Sequence, residues 1–126
     1  MLALRQRDVV SLTYDPYRSS GTRSGVVIDG MKTPSHPNVG RIYSIVTITK
    51  DASGQYASHD WTVPLPKDRT REGEPPLKND SVITPWGTFN VVGSDIGGQH
   101  TRLDDSGMKR ILLAFKRMIL DDVDRS

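Results

Sequence analysis

RIYSIVTIT, residues 41–49, is the most β-prone segment of the chain. Isoleucine, valine, threonine and tyrosine are enriched in strands because branched and aromatic side chains pack well on a pleated surface. The segment is also long enough for a full strand of a small domain. We therefore predict a central strand here and place the other elements around it.

Shorter segments with the pattern of strands lie on both sides of this one. Residues 8–14 (DVVSLTY) alternate apolar with hydroxyl-bearing side chains, and residues 26–28 (VVI) form a short apolar run that suits a buried strand. Further strands are predicted at residues 59–65, and then at 81–83 and 88–92, which form either two short strands or one strand kinked at 85–87. The sheet is expected to end near residues 96–98.

The connections between these strands differ in character. Residues 17–25 (YRSSGTRSG) form a basic polar loop by composition, and a turn is expected at 51–55. Residues 67–80 (KDRTREGEPPLKND) are charged, contain two adjacent prolines and lack periodicity. We predict a long exposed excursion between strands there, and its role stays open.

The pattern changes to that of an amphipathic helix over residues 106–122, capped by Asp104, Asp105 or Ser106. Apolar residues recur there at steps of three and four: Met108, Ile111, Leu112, Phe115, Ile119 and Leu120. Short strands followed by one helix predict an α+β fold that is mainly β. We expect a sheet curled into a small β-barrel over about residues 7–98, with the C-terminal amphipathic helix packed against it as a core element.

Length and composition narrow the class of protein. At 126 residues the chain is expected to be a single domain, residues 1–126. It contains no cysteine, so disulfides and thiolate chemistry are excluded. Basic residues outnumber acidic ones only by 17 to 15; the basic side chains of the first fifty residues stand largely without acidic neighbours, whereas aspartates gather at the end of the chain. Neither a signal peptide nor a membrane span is readable, so a cytoplasmic location is expected.

Several short motifs occur in a recognisable order. They are Asp8-Val9-Val10 leading to Asp15-Pro16, Gly21-Thr22-Arg23 followed by Val26-Val27-Ile28, Ile48-Thr49, Trp61-Thr62-Val63-Pro64-Leu65, Leu77-Lys78-Asn79-Asp80-Ser81-Val82, and Arg102-Leu103. None of them is specific alone, but their order from residue 7 to about 120 resembles that of the MazF/PemK (Kid/CcdB-like) family of toxin ribonucleases.

This resemblance implies an SH3-like barrel that forms a homodimer and binds single-stranded RNA along a groove at the dimer interface. It further implies an endoribonuclease that cleaves RNA without a metal or other cofactor. A cognate antitoxin protein, whose flexible tail occupies the groove, is the implied partner in a type II toxin–antitoxin system. Arg23 matches the family's active-site arginine, and Thr49 matches its active-site threonine.

The chain also departs from the family pattern. Ser24 stands where the family usually has proline, and residues 18–20 replace its acidic and glutamine loop residues. The sequence Thr84-Pro85-Trp86-Gly87 also departs from many relatives, and with Ser81 it resembles a Ser-x-x-x-Pro-Trp variant found in part of the family. Two alternatives therefore stay open: a non-catalytic module of the same fold that binds nucleic acid or a protein, and an unrelated SH3-like structural or adaptor domain.

The chemistry of RNA cleavage suits the two matched residues. RNA supplies its own nucleophile, the 2′-hydroxyl, so the protein has to orient it, move protons and stabilise charge on the phosphate. A planar arginine such as Arg23 can hold two phosphate oxygens at once. Thr49 could place a hydroxyl on the same phosphate, although strand-end threonines are also common for reasons of β propensity. The hypothesis requires both side chains within reach of one phosphate.

Four further residues are candidates with ordinary alternatives. His59 could act as acid or base because histidine exchanges protons near neutral pH, but a lone histidine is more often a surface or structural residue. Trp86 is expected on a turn, where it could stack on an RNA base or anchor the core or a dimer interface. Tyr17 and Arg18 share the first loop with Arg23 and suit RNA contacts, with solvated loop side chains as the alternative. No metal site is readable from the positions of the acidic residues and histidines.

Overall fold

The computed structural model describes residues 4–29, 37–38, 40–50 and 59–125, with side chains up to residue 121. The expected turn at 51–55 lies outside these residues. The strands are β1 (Asp8–Leu12), β2 (Ser24–Val27), β3 (Ile42–Thr49), β4 (Val63–Leu65), β5 (Ser81–Val92) and β6 (Ile96–Arg102), and the helix is α1 (Asp105–Arg125).

All six strands form one antiparallel sheet in the order β4-β5-β3-β2-β1-β6. The RIYSIVTIT segment supplies β3, which pairs with β2 on one side and β5 on the other. With a single C-terminal helix, this is the mainly-β α+β fold predicted from the sequence, and that prediction is confirmed.

The barrel is not closed by direct strand pairing, because β4 and β6 remain the two edges of the sheet. The segment that follows β4 spans the gap. Thr70 forms an isolated bridge with Leu103 just beyond β6, and the Arg71 amide donates to the Arg102 carbonyl at 2.9 Å. The result is a barrel-like sheet whose edges are joined through a connecting segment.

This segment corrects the prediction of a simple exposed excursion at residues 67–80. Most of its side chains are exposed, but Leu77 is buried in the core. The Thr101 hydroxyl of β6 donates to the Pro75 carbonyl at 2.6 Å. Charge and prolines made the segment look detached, whereas its hydrogen bonds to β6 and the burial of Leu77 attach it to the sheet.

Two predicted strand boundaries are also corrected, whereas the alternative of one kinked strand over residues 81–92 is confirmed. The sheet does not end near 96–98, because β6 continues to Arg102 and pairs with β1. The fourth strand begins only at Val63, so His59 lies in a turn before it. Residues 81–92 form one strand, in which residues 84–87 bulge opposite Thr47 alone while the flanking pairs are kept.

The core occupies both faces of the sheet, since consecutive residues of one strand point to opposite sides. Val9 and Val46 belong to a cluster that also takes in buried residues of α1, whereas Val10 and Ile45 belong to a second cluster on the other face. Burial on both faces explains why the strands read as nearly continuous apolar runs.

Helix α1 packs on the first cluster through its N-terminal half. The Asp104 carboxylate accepts a hydrogen bond from the Gly107 amide at 2.7 Å, which makes Asp104 the N-cap. Met108 and Ile111 are buried as predicted, but Ile119 and Leu120 are 57% and 50% exposed. The apolar stripe predicted to pack on the sheet is therefore buried over the first half of the helix and exposed over the second. Among the described residues, no helix is both long and apolar enough to cross a bilayer.

Candidate active site

The first loop begins with a tight turn built by Asp15. Its Oδ1 accepts the Tyr17 amide at 2.9 Å, and its carbonyl accepts the Arg18 amide at 3.2 Å. Aspartate at the first position and proline at the second are the residues that such a turn favours, because the carboxylate bonds the backbone two residues on and proline fixes φ. The turn leaves the Asp15 side chain only 7% exposed and facing the loop interior.

Arg23 closes the same loop, directly before β2. Gly21 has a φ of +91°, a conformation that glycine adopts without strain, and it turns the chain towards Arg23. The Arg23 guanidinium donates to both Asp15 oxygens, from Nε to Oδ1 at 3.0 Å and from Nη2 to Oδ2 at 3.3 Å. Such a two-point contact fixes the plane of the guanidinium as well as its position.

Thr49 lies beside Arg23 at the end of β3. Arg23 Nη1 donates to Thr49 Oγ1 at 3.4 Å. An arginine has five N–H donors, so these contacts leave two of them, one on each Nη, for a ligand. Thr49 accepts the bond and keeps its own O–H as a donor. The pair can therefore present three donors to one anion.

The charge balance of the site favours an ionised Asp15. The hydrogen bonds from the Arg23 side chain hold the pKa of the Asp15 carboxyl below its usual range, against the effect of burial, which raises it. The Tyr17 amide and the charges of Arg23 and Arg18 act in the same lowering direction. The carboxylate thus orients Arg23 throughout the neutral pH range.

Tyr17 forms one wall of the site. The Arg23 guanidinium carbon lies 4.7 Å from the centre of the Tyr17 ring, a cation–π distance. The Thr47 hydroxyl donates to the Gly87 carbonyl at 3.1 Å, so the Tyr17 hydroxyl, 3.0 Å from Thr47 Oγ1, has to be the donor of that bond. The ring itself is 49% exposed and packs edge-on against Phe89.

Trp86 and His59 form an aromatic pair on the β5 bulge. Trp86 is 44% exposed and lies within β5, not on the predicted turn, so a core role is excluded. The His59 ring is tilted against it at 4.7 Å and against Trp61 at 5.5 Å. Base stacking and interface anchoring both remain compatible with an indole in this position.

Arg23 also lines a cavity of about 280 Å³. Among the described residues that form its walls is His100 of β6, whereas His59 is not one of them. The described residues contain no group of three or more histidine, aspartate and glutamate side chains arranged to hold a metal ion.

The structure thus brings together Arg23, Thr49 and Tyr17, and it places Arg18 on the same loop with its side chain exposed. No role is predicted from the sequence for Asp15, which reads only as a strand end, or for Thr47. A signal for Asp15 was present in the Asp-Pro pair, since an aspartate that caps a turn is held in place next to the loop it opens.

Comparison with known proteins supports the fold. One solved structure with a similar fold is an endoribonuclease in complex with its cognate antitoxin, from a mycobacterial species. The similarity has a TM-score of 0.65 and covers 94% of this chain and 95% of that one, at 12% sequence identity. Identity this low shows a shared fold and not a shared activity. No protein-family model and no curated protein matches the chain.

Proposed function

We propose that this protein is the toxin of a type II toxin–antitoxin system of the MazF/PemK type, an endoribonuclease that cleaves single-stranded RNA without a metal. The observation that carries the proposal is the contact of Arg23 with both Asp15 and Thr49. A phosphodiester gains negative charge as it is cleaved. An arginine that is held in place and keeps unused N–H donors, next to a hydroxyl that can donate, can stabilise that charge.

In the proposed reaction the RNA 2′-oxygen attacks the adjacent phosphorus, and the bond from phosphorus to the 5′-oxygen breaks. Arg23 and Thr49 hold the non-bridging oxygens and stabilise the added charge. A base takes the 2′-hydroxyl proton and an acid gives a proton to the leaving 5′-oxygen. His59 is one candidate for these transfers, and His100 is a second because it shares a cavity with Arg23. The products are a 2′,3′-cyclic phosphate and a 5′-hydroxyl.

The proposal includes two protein partners and a location. The similar fold of an endoribonuclease bound to its cognate antitoxin supports an antitoxin as partner. Exposed apolar residues on α1, Leu113, Ile119 and Leu120, provide surface that a second copy of the chain or an antitoxin could cover. A homodimer is proposed, with a cytoplasmic location where RNA is accessible.

The test is cleavage of a long unstructured RNA in EDTA by the wild type, Arg23→Ala and Arg110→Ala. Arg110 is an exposed cation on α1, so its variant carries the same charge change away from the loop. We expect the wild type and Arg110→Ala to cut equally and to leave 5′-hydroxyl ends. Arg23→Ala should cut at least about 100-fold more slowly, the usual effect of losing one donor to a transition-state anion.

One observation favours the non-catalytic alternative. Asp15 and Thr49 together already use three of the five N–H donors of the Arg23 guanidinium, which leaves two for RNA. It predicts RNA binding by folded, antitoxin-free protein with no cleavage at any tested sequence. Such a result would exclude the ribonuclease and leave a binding module.

A further inference from the structure

The cavity beside Arg23 has an unusual distribution of charge. Its walls include Arg23, Lys50, Lys78 and His100, and among the described residues that line it none is an aspartate or glutamate. Lys50 and Lys78 are exposed, and within the described part of the chain neither forms an ion pair. Basic groups that converge on a concave surface without carboxylates attract anions.

The wall that carries Lys78 is fixed by the fold. The Leu77 side chain is buried in the core, and its amide donates to the Lys67 carbonyl at 2.8 Å. The Asp80 carboxylate accepts the Lys67 amide at 2.8 Å, which closes the base of the segment. Because these contacts hold Lys78 and Asn79 at the cavity, the site is preformed.

His100 supports the same wall from the other side. Its Nε2 lies 3.1 Å from the Pro76 carbonyl, and since a carbonyl only accepts, this nitrogen has to carry the proton of the bond. The cavity thus combines cationic donors with the polar side chains of Asn79, Ser24 and His100, a set suited to a sugar-phosphate.

We infer that this cavity binds a second phosphate of the RNA strand, that of the nucleotide next to the one held by Arg23 and Thr49, through Lys50 and Lys78. The inference rests on the proposed function, and it assigns a subsite that lies within one protomer. Arg23 contacts Thr49 and also lines the cavity, so consecutive phosphates of one strand can occupy these two neighbouring positions. A cavity of about 280 Å³ is at the lower end of the size of small-molecule sites, which suits one unpaired nucleotide.

The experiment measures binding of a random-sequence 2′-O-methyl RNA decamer, which cannot be cleaved, as a function of salt. For a single strand, each phosphate neutralised contributes about 0.7 to the slope of log K against log salt. The Lys50→Ala/Lys78→Ala variant should lower the slope by about 0.7, the value of one phosphate, and weaken binding about tenfold near physiological salt. Arg110→Ala/Lys116→Ala, the matched loss of two exposed cations on α1, should change neither.

Each outcome decides between the subsite and its alternatives. An unchanged slope in Lys50→Ala/Lys78→Ala, with cleavage still dependent on Arg23, overturns the subsite and leaves the ribonuclease standing. A wild type that binds no RNA overturns both. Inorganic phosphate and a uridine 3′-monophosphate probe, followed by NMR shifts, separate the sources of the anion. If the NMR shifts depend on Lys50 and Lys78 but the slope for RNA does not, the cavity binds a free phosphate and the RNA assignment is overturned.

Discussion

Replacing Asp15 with asparagine removes the group that orients Arg23 while Arg23 itself stays in the chain. Asparagine keeps an oxygen that can accept the Tyr17 amide, so the turn at the start of the loop is retained. It loses the negative charge and the second oxygen that accepts Arg23 Nη2. Arg23 is then left with a weaker partner at a place where it is largely shielded from water.

The size of the effect follows from the exposure of the pair. Removing one partner of a fully buried ion pair costs about 3–5 kcal/mol, whereas a hydrogen bond to a charged group contributes about 1.5–3 kcal/mol. The Asp15 side chain is 7% exposed, but that of Arg23 is 18% exposed and can recover some hydration. We therefore expect Asp15→Asn to lower the free energy of unfolding by about 2 kcal/mol at pH 7.

The pH dependence gives this prediction its sharpest test. The pKa of Asp15 is lowered in the folded protein, so its stabilising effect is fully present above the unfolded pKa of about 3.9 and is lost as pH falls through the folded pKa. Urea unfolding from pH 7 down to the lowest pH at which the wild type folds should show the gap to Asp15→Asn closing below about pH 4. Asp68→Asn, an exposed control, should track the wild type. A gap of constant size, or none at pH 7, refutes the reasoning.

Two further predictions concern the β5 bulge. A Cβ at Gly87 would overlap the Tyr17 hydroxyl and lie 2.8 Å from Thr47 Oγ1, so Gly87→Ala should cost about 1–3 kcal/mol of stability and reduce RNA cleavage, with chemical unfolding and the EDTA assay as measurements. An equally stable and active variant would contradict the packing described for Tyr17. Trp86→Ala should weaken binding of the RNA decamer by about 1–3 kcal/mol, the value of one base stacked on an aromatic ring, measured by fluorescence anisotropy. Unchanged binding with a loss of self-association would instead make Trp86 an interface anchor.

The sequence predicted the strands whose side chains are intrinsically suited to a sheet. RIYSIVTIT and DVVSL carry branched residues on faces that become buried, so local propensity and tertiary burial agree there. The last strand, IGGQHTR, was not predicted beyond its start because glycine, glutamine and histidine have little preference for strands. It forms because the open edge of β1 supplies partners, and such pairing over long distances leaves no local pattern.

The residues of the candidate site likewise divide into those that the sequence predicted and those that it did not. Arg23 and Thr49 came from the resemblance to a family, and their contact across 26 positions of sequence is not visible in any local pattern. Asp15 was missed because an aspartate before proline reads as the end of a strand. Its function as the partner of Arg23 depends on the loop folding back over eight positions. The strand predicted at residues 59–65 begins later than expected, because the turn that contains His59 delays β4 until Val63.

The first loop and residues 84–87 belong to one structural unit. Arg23 stacks on Tyr17, the Tyr17 hydroxyl donates to Thr47, and Thr47 donates to the Gly87 carbonyl beside Trp86. The bulge in β5 provides the space that the Tyr17 hydroxyl occupies, because any side chain at Gly87 would fill it. Because the Tyr17 hydroxyl and the β5 bulge fit each other, the wall beside Arg23 depends on the first loop and on β5 together.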